Sequence, residues 1–179
     1  MDKIVHHLGA EKLQIYFMDK TIILRNPAPE DGPKVSDLIA NCPPLDENSR
    51  YCNLLQCSHF SDTCVAAWMG DELVGFVSGY IPPRQADTYF LWQIAVARAA
   101  RGQNLTQRML DHILELPACS AVRQLQTTIT DDNEASQRVF AKLAKRLETD
   151  IRNEPFFTRE VHFDGHHDTE FLYTIGPFK

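Results

Sequence analysis

One switch of hydrophobic periodicity constrains this chain more than any other feature. In residues 90–96, Phe90, Trp92, Ile94 and Val96 alternate with their neighbours, placing them on one side of a strand. Beyond a polar loop containing Gly102, the apolar residues Leu105, Met109, Ile113 and Leu116 recur three or four apart, the stripe of an amphipathic helix. Pro117 marks its end. A strand that turns directly into a helix gathers unpaired backbone N–H groups at one point. Together with the helix dipole, those donors bind phosphate without many cationic side chains. A chain with 18 Lys and Arg against 24 Asp and Glu, and a formal net charge of −6, can therefore still hold a polyanion. The same balance argues against a nucleic-acid partner, which needs a basic stripe.

The rest of the chain supplies a sheet and its cover. Residues 21–24 read as a strand, and Pro29, Glu30 and Asp31 start a helix that carries Val35, Leu38 and Ile39 to about Asn41, where Cys42-Pro43-Pro44 stops it. A second short helix is expected around residues 51–59. A hairpin follows over residues 63–81, turning at Gly70-Asp71. Residues 125–130 form another strand, and Asp131, Asp132 and Asn133 cap a helix with Ala135, Val139, Leu143 and Leu147 on its buried stripe. Two last strands are expected near residues 156–163 and 170–175, joined through Asp164-Gly165. The order of elements implies an α/β fold of the α+β type: a mixed, mostly antiparallel sheet flanked by helices on both faces.

The 179 residues suit one domain with a real core, here residues 20–179, preceded by a flexible leader over residues 1–19. No apolar run approaches the length of a membrane span, and the N-terminus lacks a signal-peptide pattern, so a cytoplasmic protein with no membrane partner is expected. Cys42, Cys52, Cys57, Cys64 and Cys119 are odd in number and never spaced CxxC; they read as small buried hydrophobes. His162, His166, His167 and Asp168 straddle Asp164-Gly165 and read as a solvated hairpin tip, with no metal site.

Arg101-Gly102-Gln103-Asn104-Leu105-Thr106, framed by its strand and helix, resembles the pyrophosphate loop of the GNAT acetyltransferase superfamily. The family's two small positions hold Asn104 and Thr106 here; Asn tolerates a positive φ better than other residues with a Cβ. Asp132-Asn133-Glu134-Ala135-Ser136 resembles the family's second cofactor-facing segment. The resemblance implies acetyl-CoA as cosubstrate, held by Ile94, Ala95 and Val96 along the strand, by Arg101, Gly102, Gln103, Asn104, Leu105 and Thr106 in the loop, and by Asn133 and Ser136. Phe140 stands where many relatives carry a Tyr that protonates the departing thiolate.

A narrower resemblance lies in Cys42-Pro43-Pro44-Leu45-Asp46, in residues 51–57 (YCNLLQC) and in Leu91-Trp92-Gln93, which are similar to the diaminobutyrate acetyltransferases of ectoine biosynthesis. That family acetylates the 4-amino group of a diamine amino acid, and a homodimer is implied by analogy. A substrate with an extra ammonium calls for nearby acids, and Asp46, Tyr51, Trp92 and Glu170 are the expected pocket. An alkylammonium has a pKa of about 10, so a base must take its proton. Glu170 is the first candidate and Asp46 the next. Tyr51 or solvent protonates the thiolate, and Arg50 or backbone donors receive the substrate carboxylate. Two competing functions are an acetyltransferase of another small amine and a non-catalytic acyl-CoA-binding module.

Overall fold

The computed structural model describes residues 21–178, so the expected leader, with His6 and His7, lies outside the described residues. The elements are β1 (Ile22–Arg25), α1 (Gly32–Ala40), α2 (Arg50–Gln56), β2 (Val65–Met69), β3 (Glu72–Tyr80), β4 (Thr88–Val96), α3 (Leu105–Glu115), β5 (Gln124–Thr130), α4 (Glu134–Arg146), β6 (Ile151–Phe157), the single turn α5 (Arg159–His162) and β7 (Glu170–Ile175). The strands form one seven-stranded sheet in the order β1-β2-β3-β4-β5-β7-β6. All neighbours are antiparallel except β4 and β5.

Alternation along the strands divides the core in two. Val65, Ala67 and Val77 join Leu105, Met109 and Ile113 of α3 and Phe140, Leu143 and Ala144 of α4 on one face. Ala66, Phe76 and Ala95 meet Val35, Leu38 and Ile39 of α1 on the other. The expected helices on both faces are thus present. Gly75 lets α3 lie close to the sheet, because a Cβ there would sit 3.0 Å from the Met109 sulfur and 3.1 Å from Leu105 Cδ2. Burying each α3 side chain contributes roughly 1.5–3 kcal/mol, enough to fix the start of that helix beside the end of β4. The entry to α1 is pinned by Asp31, which accepts two bonds from Arg25 at 2.7 and 3.0 Å and one from the Ala28 N–H at 2.8 Å. Burial works against the Asp31 charge, but these hydrogen bonds hold its pKa below the usual carboxylate value.

Three details depart from the sequence reading. The alternation expected for β4 breaks at Trp92, because Ser78 pairs with Gln93 while Gly79 pairs with Leu91, leaving Trp92 as the extra residue of a bulge. Leu91 is buried and Trp92 is 45% exposed, so the two trade the places that strict alternation gives them. The stripe of α4 centres on Phe140, Leu143 and Ala144, whereas Ala135 is exposed. The penultimate strand begins at Ile151 and ends at Phe157, and residues 159–162 form the turn α5 instead of continuing it. Every β6 residue is exposed, as suits an edge strand, and an edge also tolerates Pro155, which has no N–H to offer a ladder. Packing of Phe157 on His162 and Phe163 closes the chain into α5 in place of a β-extension. The link to β7 is consequently longer than a two-residue hairpin, although Asp164 and Gly165 do adopt the positive φ of a turn.

Candidate active site

The site originates in a disagreement between two strands. β4 and β5 pair only from Thr88 with Gln124 to Phe90 with Gln126, yet β4 continues to Val96 and β5 to Thr130. Beyond Phe90 they splay apart. On the β3 side the ladder persists, and the Ala97 N–H donates to the Val74 carbonyl at 2.9 Å. Stepping back from Ala97 with a period of two, the Ala95 N–H also faces β3, whereas the N–H groups of Ile94 and Val96 face the gap. Among the described residues no strand pairs with that stretch of the β4 edge. A cavity of about 860 Å³ occupies the gap, with Leu91, Trp92 and Ile94 on one wall and residues 127–130 on the other.

At the α3 end of the gap the chain makes a nest. Arg98, Ala99 and Ala100 form a 3₁₀ turn, Arg101 is extended, Gly102 has φ 76°, and Asn104 has φ 58° and ψ 23°, so α3 is entered from a left-handed residue. Nothing lies within 4 Å of a Cβ built on Gly102, so backbone conformation and not space requires the glycine there. Asn104 makes no side-chain capping bond, and the first turn of α3 opens onto a second cavity of about 450 Å³. Val96, Arg101, Gly102, Asn104, Leu105 and Thr106 line it, with Lys142 of α4 opposite. Thr106 and Val139 border both cavities, so the two adjoin. Arg101 is exposed but tied back to the strand, its Nε donating to the Val96 carbonyl at 3.2 Å. At the start of α4, the Asn133 side chain accepts from the Ser136 N–H at 3.0 Å, and both residues border the larger cavity.

Two residues expected at this end stand elsewhere. Ala95 is 1% exposed in the α1-side core, because it alternates with Ile94 and Val96. Gln103 lines neither cavity and its amide donates to the Ala99 carbonyl at 3.2 Å. Leu105 turns its side chain into the core, leaving its backbone to the loop.

The larger cavity, unlike the one at the nest, has an acidic lining. Asp46, Trp92 and Glu170 line it together, drawn from the loop after α1, the β4 bulge and the first residue of β7. Glu170 is paired with Thr130 of β5 and Phe157 of β6, which fixes its backbone. Its side chain is 19% exposed, and Oε1 lies 3.9 Å from His167 Nε2. Asp132 and Glu134 add negative charge, and Arg138 on the same wall is spent on Glu134 at 2.9 Å. Tyr51 and Arg50 are not part of this group. Tyr51 is 70% exposed and outside the lining, and Arg50 reaches Asp37 at 3.5 Å.

Several contributors escaped the sequence reading. Gln93 accepts from Asn48 Nδ2 at 3.1 Å and donates to the Asp46 carbonyl at 2.9 Å, clamping the Asp46 loop across β4. Its only sequence signal is its place beside Trp92. His167 belongs to this cavity wall and not merely to a solvated tip; its spacing of three from Glu170 was the available clue.

No cysteine takes part. All five are free thiols, and burial raises Cys57 and Cys64 to about 12 and Cys119 to about 11. Thiols held so far above neutrality are poor nucleophiles, and no cysteine lines either cavity. Among the described residues no group of three or more His, Cys, Asp or Glu is arranged to hold a metal.

Comparison with known proteins agrees with this geometry. Residues 33–144 match the Acetyltransferase (GNAT) family. The chain is 53% identical to the L-2,4-diaminobutyric acid acetyltransferase of Methylotuvimicrobium alcaliphilum over 165 residues, covering 90% of this chain and 96% of that protein. It is 46% identical to the enzyme of the same name from Vibrio cholerae, over 86% of this chain and 88% of that one. Among solved structures, the diaminobutyrate acetyltransferase EctA of Paenibacillus lautus, in complex with its substrate L-2,4-diaminobutyric acid and coenzyme A, superposes with a TM-score of 0.85. The match is 36% identical and covers 89% of this chain and 97% of that one.

Proposed function

The chain belongs to the acetyltransferase (GNAT) family, and from that premise we propose that it transfers acetyl from acetyl-CoA to the 4-amino group of L-2,4-diaminobutyrate, as a step of ectoine biosynthesis. The observation that carries the reading is the continuity of the two cavities: a backbone nest for an anion at one end, and Asp46 with Glu170 for an ammonium at the other.

The residues present fit coenzyme A. The left-handed Gly102 and Asn104 turn the loop around the open first turn of α3, which suits a pyrophosphate. The N–H groups of Ile94 and Val96, which face the gap and have no strand partner among the described residues, suit the amide-bearing pantetheine arm and a thioester carbonyl. Acetyl-CoA supplies the acyl group as an activated thioester. The protein's own part is to orient the amine, deprotonate it and polarise the carbonyl. In this reading Glu170 accepts the ammonium proton, with Asp46 as the next candidate, and Trp92 forms the side wall of the amine site. Tyr51 stands on the outer surface, so protonation of the leaving thiolate falls to solvent; Phe140, 3% exposed in the core, offers no hydroxyl.

Three further statements belong to the same proposal. Residues 20–179 act as one acetyltransferase domain. The enzyme works in the cytoplasm; among the described residues no helix is long and apolar enough to cross a membrane. It works as a homodimer, a state that would cover the wholly exposed strand β6 and its Phe156 and Phe157.

The test is an assay of thiol release from acetyl-CoA across a panel of amines, with the acetylated nitrogen located by NMR. Diaminobutyrate acetylated at N4, with lysine and ornithine poor, is the expected result. Preference for a polyamine or aminoglycoside overturns the substrate assignment, and binding of acetyl-CoA without turnover of any amine overturns the enzymatic one.

A further inference from the structure

Acetylation of an ammonium group by a thioester does not balance without an exit for a proton. The N–C bond forms, the C–S bond breaks, and the nitrogen loses two protons. The departing sulfur takes one of them, so one proton per turnover must leave the site. Glu170, as the accepting base in the reading above, has to be emptied before it can act again.

His167 is placed to do this. Its Nδ1 lies 2.7 Å from the Asp168 carbonyl oxygen. A carbonyl only accepts, so Nδ1 carries the hydrogen, and in the neutral ring Nε2 presents its lone pair. That atom is the one facing Glu170 Oε1, at 3.9 Å. The gap is longer than a hydrogen bond, and a side-chain adjustment of about 1 Å closes it, a motion of ps–ns for a partly exposed group. The ring is held against Phe163, with centroids 4.6 Å apart. The segment that carries it is tied down by Arg159, which reaches Asp168 at 2.7 Å and whose N–H donates to Thr169 Oγ1 at 3.1 Å.

His167 also stands on a boundary. It borders the cavity that holds Glu170, and it borders an adjoining concavity of about 350 Å³ formed with Asp132, Arg159 and His166. The ring therefore lies 3.9 Å from the proposed base and borders the adjoining concavity as well, along with Thr130 and Asp132. We propose that His167 is a positioning residue that acts through Glu170, orienting the carboxylate, taking its proton on Nε2 and, by a turn of the ring away from Glu170, giving that same proton to solvent at this second opening. The proposal rests on the acetyl-transfer reading.

The experiment measures kcat for diaminobutyrate in low-concentration buffer across pH for the unaltered enzyme and for His167→Gln, His167→Asn, Glu170→Gln and the His167→Gln/Glu170→Gln pair. Asp46, Asp132, the Arg138–Glu134 pair, the Arg159–Asp168 pair and His166 also face this region, and all are left in place. The expected result is a loss in kcat of roughly 10- to 100-fold for either His167 variant, with KM for both substrates changed by less than about threefold. Added imidazole restores the rate, and His167→Gln has no further effect once Glu170 is Gln. An unchanged kcat in low buffer overturns the relay, as does a loss that imidazole leaves unrestored. An unaltered enzyme silent towards diaminobutyrate overturns the acetyl-transfer reading and the relay with it, whereas an active enzyme indifferent to His167 overturns the relay alone.

Discussion

The two ends of the cleft are built by different means. At the α3 end the groups proposed to act belong to the backbone, and they come from one continuous stretch, the end of β4, the 101–104 nest and the first turn of α3. At the far end they are side chains contributed by distant segments: Asp46 from a loop, Trp92 from a bulge and Glu170 from the last strand. The backbone end depends on conformation and tolerates changes of side chain that keep it. The side-chain end depends on identity, and on tertiary contacts that hold three separate pieces in register. An enzyme that shares a cosubstrate with many relatives can therefore keep the first end and vary the second to choose its acceptor.

The contrast can be broken first at its acidic end. Glu170→Gln keeps shape and removes the proposed base, so kcat should fall by about 100-fold or more, while calorimetric affinity for CoA stays within about twofold. Equal losses in both quantities would mean that the two ends do not act separately. The next largest effect should come from Gly102→Val, which forces a β-branched residue to φ 76°. At roughly 1–2 kcal/mol this raises KM for acetyl-CoA about tenfold. Asn104→Gly, which keeps the left-handed conformation, should leave that KM unchanged. A strong effect of Asn104→Gly would show that the nest works through a side chain after all. Smallest is Gln93→Ala, which frees the Asp46 loop from two neutral hydrogen bonds. Each contributes about 1 kcal/mol or less, so KM for diaminobutyrate should rise about fivefold with acetyl-CoA parameters unmoved.

The same division explains what could be read from the chain in advance. The spacing of Leu105, Met109 and Ile113 reports a helix face directly, and all three are fully or nearly buried. A left-handed Asn104 follows from local chemistry, since Asn is among the few residues that accept it. Trp92 shows the limit. Alternation places it with Phe90 and Ile94, but a bulge depends on the partner strand, and the partner cannot be seen from residues 90–96 alone. The bounds of β6, expected near residues 156–163, escape for a similar reason: an edge strand exposed throughout needs no apolar period, and Pro155 reads as a breaker unless the edge is known. Tyr51 is expected beside Asp46 from the family resemblance, yet the helix beginning at Arg50 turns its ring outward. Gln93 and His167 matter through what they touch, which only the folded chain defines.

The separation of β4 from β5 has a thermodynamic side. A sheet left unstitched along part of one seam is least cross-braced where its ligand is proposed to lie. Any molecule that bridges the opening adds its contacts to the native state alone, so occupancy and resistance to heat are linked. On the proposed binding mode, the unpaired stretch of ladder is thus a place where the supply of cosubstrate bears directly on the fraction of enzyme that stays folded.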